Sequence, residues 1–251
     1  MLTLGGQPKC EMVYYLAQRP DSIIAAPLRL NRYLVLFENT TSSTCLGRVL
    51  LLSIDGASVE ELQRLDRQIN GWVHSTPAVF GNLMFVATDL ENVLVYSGGP
   101  PEKADGFTLI TNAAGGTLPP GTRPQAYSMY YTEKDLLVAA SRVRHYDYKA
   151  EQQALTPSAE KLIGSVSQPI QRFPATGRVD ALFVARHVPG SSPVYLTALD
   201  AGTLETRWEV LLGSGLLSLQ PAGASTSNWV ALTRSGHVFS VSATAPPAGG
   251  T

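Results

Sequence analysis

The sequence predicts an all-β chain, a β-propeller made of four-stranded antiparallel blades. Three observations predict it. One strand grammar recurs about every fifty residues. Apolar runs have the length of strands. Turn residues, not amphipathic helical stretches, separate them.

The recurring grammar is a small or apolar lead-in, a proline, an apolar residue, a turn, and then a dense apolar strand. It begins near residues 22, 72, 165 and 216 and carries Pro27, Pro77, Pro169 and Pro221. A weaker copy near residue 123 has Tyr127 where the proline would fall. The marker spacings are 50, 50, 42 and 52 residues (27 to 77, 77 to 127, 127 to 169, 169 to 221). The dense strands "YLVLF", "LMFVA", "LLVAA", "ALFVA" and "WVAL" are continuous apolar runs, as a strand buried on both faces requires. Each is followed by a more alternating strand ("RVLLLSID", "NVLVYSG", "RVRHYDYK", "VYLTALD", "HVFSVSA"), expected nearer the outside. Gly47 and Gly236 precede two of these strands, where a turn residue with positive φ would stand. A polar fourth strand, such as "FTLITNA" or "TRWEVLL", completes the unit. Four strands repeated at 40–50 residues are a propeller blade. "SVEELQRLDRQI" (58–69) has Val59, Leu62, Leu65 and Ile69 on one helical face, yet serves equally as an irregular outer strand.

Residues 1–10 carry little pattern, residues 11–242 are expected to form a single propeller domain, and 243–251 read as a flexible tail or linker. The last copy stops after its third strand, while the chain starts with "EMVYYLA", a strand without a blade. The N-terminal strand is therefore expected to close a five-bladed ring, which removes exposed sheet edges. An incomplete arc of a larger parent is the alternative.

A chain of 251 residues can bury a core without disulfide staples. Net charge is −1 and no basic stripe exists, which excludes phosphate-backbone binding. No apolar run is long enough for a transmembrane helix, and "MLTLGGQPKC" lacks the parts of a signal peptide. For Cys10 and Cys45 a bridge and two free thiols are both open, with free thiols favoured.

No residue pattern for catalysis stands out. His74, His145, His187 and His237 fall in different copies and form no metal-ligand spacing. His74, Ser75, Thr76 and Gln168 sit at copy entrances, where polar groups could face a propeller axis. A hydrogen-bonded structural histidine is the simpler reading of His74. The densest polar-aromatic patch is Arg142, Arg144, His145, Tyr146, Tyr148 and Lys149, with Tyr127, Tyr130 and Tyr131 nearby. It reads as a recognition surface or as the alternating face of an outer strand with Val143 and Tyr146 turned inward.

"VYLTALDAGTLETRWEV" resembles the repeat of the pyrroloquinoline-quinone-type (PQQ-like) propeller family at Leu199, Asp200, Ala201, Gly202, Thr203 and Trp208. "HSTPAVFGNLMFVATDLENVLVY" is similar to the first half of that repeat, with Pro77, Gly81 and Asp89 in register. In the turn, Asp200 can accept hydrogen bonds from backbone N–H groups and Gly202 can supply positive φ. Trp208 would cover the gap between neighbouring blades. Quinoprotein dehydrogenases of this kind hold their cofactor on the axis with an adjacent Cys-Cys pair, and this chain has no such pair. The resemblance thus implies the scaffold without the site. The expected function is a non-catalytic, cofactor-free, monomeric scaffold for a protein partner, as in outer-membrane assembly lipoproteins, within a bacterial, envelope-associated parent. The alternative is a propeller holding a quinone, sugar or metal.

Overall fold

The computed structural model describes residues 13, 15, 19–53, 58–65, 69–100, 103, 105–115, 128–131, 135–139, 142–166, 170–173, 180–187, 193–222 and 228–244. Among them every regular element is a β-strand except for 3₁₀ turns at Ala150–Gln152 and at Lys103. No helix among the described residues is long and apolar enough to cross a membrane. The chain divides into two compact units, Met1–Asn112 and Ala113–Thr251.

In the first unit, β1 (Leu28–Leu30), β2 (Tyr33–Asn39), β3 (Thr44–Leu52) and β4 (Val59–Arg64) pair in chain order, and short β5 (Ile69–Asn70) adds to β3. The next sheet runs β6 (Ala78–Phe80), β7 (Leu83–Ala87), β8 (Val93–Gly98) and β9 (Phe107–Ala113). The fifty-residue spacing reappears as strand register. Leu28 faces Val35 and Leu30 faces Tyr33, while Ala78 faces Phe85 and Phe80 faces Leu83. Residues 59–64 take the outer-strand alternative over the helical one, because as β4 they pair antiparallel with β3.

In the second unit, one sheet is β10 (Ser128–Tyr131), β11 (Asp135–Ala139), β12 (Arg142–Lys149) and β13 (Ala154–Leu162). Another orders β14 (Ser165–Val166), β16 (Ala181–His187), β17 (Val194–Asp200) and β18 (Thr206–Leu211), with β15 (Gln171–Phe173) also on β16. The last has three strands among the described residues: β19 (Leu216–Pro221), β20 (Asn228–Thr233) and β21 (Val238–Ser242). Most of the expected closing strand lies outside the described residues. Val13 and Tyr15 belong to no strand and are exposed.

Burial follows position within each sheet. The dense strands β7, β11 and β16 are buried almost throughout. The strands after them are not outer strands, as alternation predicted. Val194, Leu196, Ala198 and Leu199 of β17 are all buried, because β17 pairs on both sides and the edge falls to β18. "WVAL" departs the other way. It alternates in β20, with Trp229 and Ala231 buried and Val230 and Leu232 half-buried.

Gly47 lies inside β3 and does not take positive φ, contrary to its reading as a turn residue; Gly236 does, at φ 86°. Gly47 is needed for close approach instead. A Cβ there would lie 2.3 Å from Leu65 Cδ1, and the Leu65 N–H donates to the Gly47 carbonyl at 2.9 Å. Gly47→Ala is therefore expected to cost about 1–3 kcal/mol as an overpacked site, read as a lowered urea midpoint.

Candidate functional site

Two segments of the first unit, 22–27 and 72–77, approach each other where Thr76 Oγ1 donates to the Ala26 carbonyl at 3.5 Å. Each is tied down by the end of its own dense strand. The Asn39 N–H donates to Ser22 O at 2.8 Å, and fifty residues on the Asp89 N–H donates to Trp72 O at 2.9 Å. Asp89 Oδ1 also accepts the Trp72 N–H at 2.7 Å, and its Oδ2 lies 3.8 Å from His74 Nε2. His74 stacks obliquely on Trp72, with ring centroids 5.9 Å apart. Ser75 Oγ is buried without a hydrogen-bond partner among the described residues. His74, Ser75 and Thr76 are thus together, in a hydrogen-bonded setting; Gln168 lies outside the described residues.

Asn39, which sequence reasoning passed over, holds this segment most firmly. Its Nδ2 donates to Val73 O at 3.0 Å and its Oδ1 accepts the Val73 N–H at 2.8 Å, both buried. The side-chain amide does what a neighbouring strand would do. Gln63 repeats the device on Phe107: Nε2 donates to Phe107 O and Oε1 accepts the Phe107 N–H, each at 2.8 Å. Gly106, at φ +69°, makes room, since a Cβ there would stand 2.3 Å from Gln63 Oε1.

Beside this Gln63 link opens a cleft of about 440 Å³. Leu65, Tyr96 and Phe107 line it from the core, Gln63 and Asp105 from the rim, and β9 along its length from Phe107 to Asn112. Tyr33 braces the floor, with its ring 5.2 Å from Phe107 and its hydroxyl donating to Gly99 O at 3.2 Å.

The polar-aromatic patch of β12 is mostly internal. β12 pairs with β11 and β13 and is not an outer strand. Val143, Arg144 and Tyr146 are buried, and of Arg142–Lys149 only Lys149 is exposed. Arg142 and Arg144 both pair with Glu160, at 2.6 Å each. Burial pushes the Glu160 carboxyl up, but the two guanidiniums outweigh it and hold its pKa low. Burial raises the Tyr148 hydroxyl. His145 offers its carbonyl to Ser158 Oγ at 3.2 Å. Tyr127 lies outside the described residues, and Tyr130 and Tyr131 are described in backbone only.

The 199–208 hairpin is a structural joint. Asp200 Oδ1 accepts the N–H groups of Gly202 and Thr203, both at 2.9 Å. Gly202 does not supply the positive φ expected of it. Leu204 does, at φ 60°, because the turn spans a residue pair more: the Leu204 N–H returns to Asp200 O at 2.9 Å. The buried Leu204 side chain offsets the strain. Arg207, unmarked in the sequence, bonds Asp200 Oδ2 at 2.7 Å and Asp180 Oδ2 at 2.9 Å. Trp208 reaches the last sheet, donating from Nε1 to Ser242 O at 3.1 Å.

The Arg207 guanidinium, followed by the turn N–H groups, lowers the Asp200 pKa from 3.8 to about 2. A depressed folded pKa contributes stability that is present above the unfolded value and lost as pH falls through the folded one. The window runs from about pH 4 down to about pH 2, and the contribution is at most about 2 kcal/mol. The wild-type urea midpoint is expected to fall across that window more steeply than that of Arg207→Ala.

No family model matches this chain, and no curated protein matches it. Solved structures do. Sqt1 of Saccharomyces cerevisiae superposes with a TM-score of 0.66 at 12% identity, over 92% of this chain and 62% of that one. A candidate 6-phosphogluconolactonase of Bacteroides uniformis ATCC 8492 gives 0.56 at 13% identity, over 88% and 66%. This chain therefore spans less than two thirds of either neighbour's length. At such identities the likeness carries no activity across. What it supports, with the antiparallel sheets, is an all-β, propeller-like fold.

Proposed function

We propose that this protein is a non-catalytic propeller-like scaffold that binds a protein partner. One observation carries the reading: among the described residues lining the β9 cleft, only Asp105 is charged. A lone carboxylate offers no acid–base pair. An aromatic and aliphatic floor with a hydroxyl and amide rim has the make-up of a recognition surface. Kinship to PQQ-like repeats, five blades and closure by the N-terminal strand belong to the same proposal and rest on the sequence.

A second reading, a propeller holding a quinone, sugar or metal, draws on His74 and Asp89 approaching to 3.8 Å beside buried Ser75 Oγ. One experiment separates the two. The chain and a Thr108→Glu/Asn112→Glu variant are used to capture proteins from extract, and both are assayed for dye reduction with quinone and calcium. Identified proteins held by the wild type and lost by the variant support the scaffold. Stoichiometric quinone binding with dye reduction overturns it.

A further inference from the structure

We propose that the β9 cleft takes an extended peptide as an added strand, with a basic side chain at the end beside Asp105. The inference rests on the scaffold reading and names the chemistry of its partner.

The geometry of the lining argues for a strand. Successive side chains of a strand point to opposite faces. A pocket on one face of β9 would touch every second residue. This cleft is lined by every residue from Phe107 to Asn112, so it runs along the edge of β9. That edge is the last in its sheet, since the order ends at β9 and no strand pairs beyond it among the described residues. An unpaired edge presents backbone donors and acceptors at the strand repeat, which an extended chain matches and a helix cannot. The five residues after Phe107, Thr108 to Asn112, give a track of about 17 Å at about 3.3 Å each.

Two further features fix the occupant. The near end of the edge is already organised: Gln63 takes both backbone groups of Phe107, so pairing by a guest begins after it. Leu65, Tyr96 and Phe107 close the back of the cleft from the core, and the half-buried Leu109 and Ile110 offer its apolar surface to a guest's side chains. Charge supplies direction. Asp105 is exposed, stands two residues before β9, and makes no ion pair among the described residues. A lysine or arginine at that end of the guest would pair with it, and an acidic residue would be repelled.

The test is selection of peptides from a random display library on the whole chain. Recovered peptides are then resynthesised and titrated by fluorescence anisotropy against wild type and Asp105→Lys. Asp105 is exposed, so an unchanged thermal midpoint is expected and serves as the folding control. The expected peptides alternate apolar and polar residues and carry a lysine or arginine near one end. Asp105→Lys weakens them about tenfold or more, and N-methylation of alternate backbone amides abolishes binding. Peptides that tolerate N-methylation, or that ignore Asp105→Lys, overturn strand addition. If they are also insensitive to Thr108→Glu/Asn112→Glu, they bind elsewhere and the scaffold reading survives alone. Recovery of no peptide also overturns strand addition, and the capture and dye assays then decide the scaffold reading separately.

Discussion

Replacing Trp208 by alanine is expected to lower stability by about 3–5 kcal/mol, the usual cost of removing a buried aromatic side chain. Trp208 is buried in a cluster with Phe183, Trp229, Leu216 and Val241, with its ring 6.0 Å from that of Phe183. The cluster draws on β16 to β21, so the cavity would open between two sheets, where neither backbone can easily collapse to fill it. The indole also has a polar role, since Nε1 donates to Ser242 O. Trp208→Phe separates the two contributions: it keeps most of the apolar surface and loses the bond, for about 1–2 kcal/mol. Calorimetry of the three proteins checks this, with the alanine variant melting roughly 10 °C below wild type. Equal losses for phenylalanine and alanine would show that the bond, not the packing, joins these sheets.

The second large effect is expected at Asn39. Asn39→Leu is close in volume but strips the Val73 carbonyl of its Asn39 bond and leaves the Val73 N–H only the weak contact with the Cys45 thiol. A buried group left unsatisfied costs about 1–3 kcal/mol, and with the weakened N–H added the expected loss is roughly 2–4 kcal/mol. Asn39→Asp gives a sharper test. Ionised, it can accept from the Val73 N–H but sets a carboxylate against the Val73 carbonyl, which raises its folded pKa. The proton restores a donor. Stability of Asn39→Asp should therefore rise as pH falls through that raised pKa, the opposite sense to the contribution of Asp200. Chemical denaturation between pH 7 and pH 4 measures it, and a flat profile would show that Asn39 does not face Val73 as described.

Much of the sheet architecture was legible because its signals are local. A run such as "ALFVA" needs only its own composition to mark a strand buried on both faces, and β16 is one. The polar fourth strands "FTLITNA" and "TRWEVLL" were legible for the same reason. The joints were not. Asn39 acts 34 residues away, Gln63 acts 44 away, and Arg207 gathers Asp180 from 27 residues back. Nothing in a local window distinguishes these from ordinary surface residues. One signal did exist: Asn39 and Asp89 close the dense strands of two copies at the same point of the fifty-residue spacing. Superposing the copies would have marked both. At Arg142–Lys149 the inward Val143 and Tyr146 were legible, but the strand's place between β11 and β13 was not, because Glu160 on β13 supplies the counter-charge that lets arginines lie inside a sheet. The β9 cleft had no motif at all, being made by a strand edge and the core behind it.

Cys45 has one consequence for experiment. Its thiol is fully buried in β3, and burial, which outweighs the lowering effect of its bond with the Val73 backbone, raises its pKa to about 12. A thiol so placed presents almost no thiolate at neutral pH and no surface to a reagent. With Cys10 changed to serine, alkylation of Cys45 becomes a stopwatch on the opening of the first sheet. Because Val73 is held by both Cys45 and Asn39, the labelling rate would time the release of a single joint while the rest of the molecule stays folded.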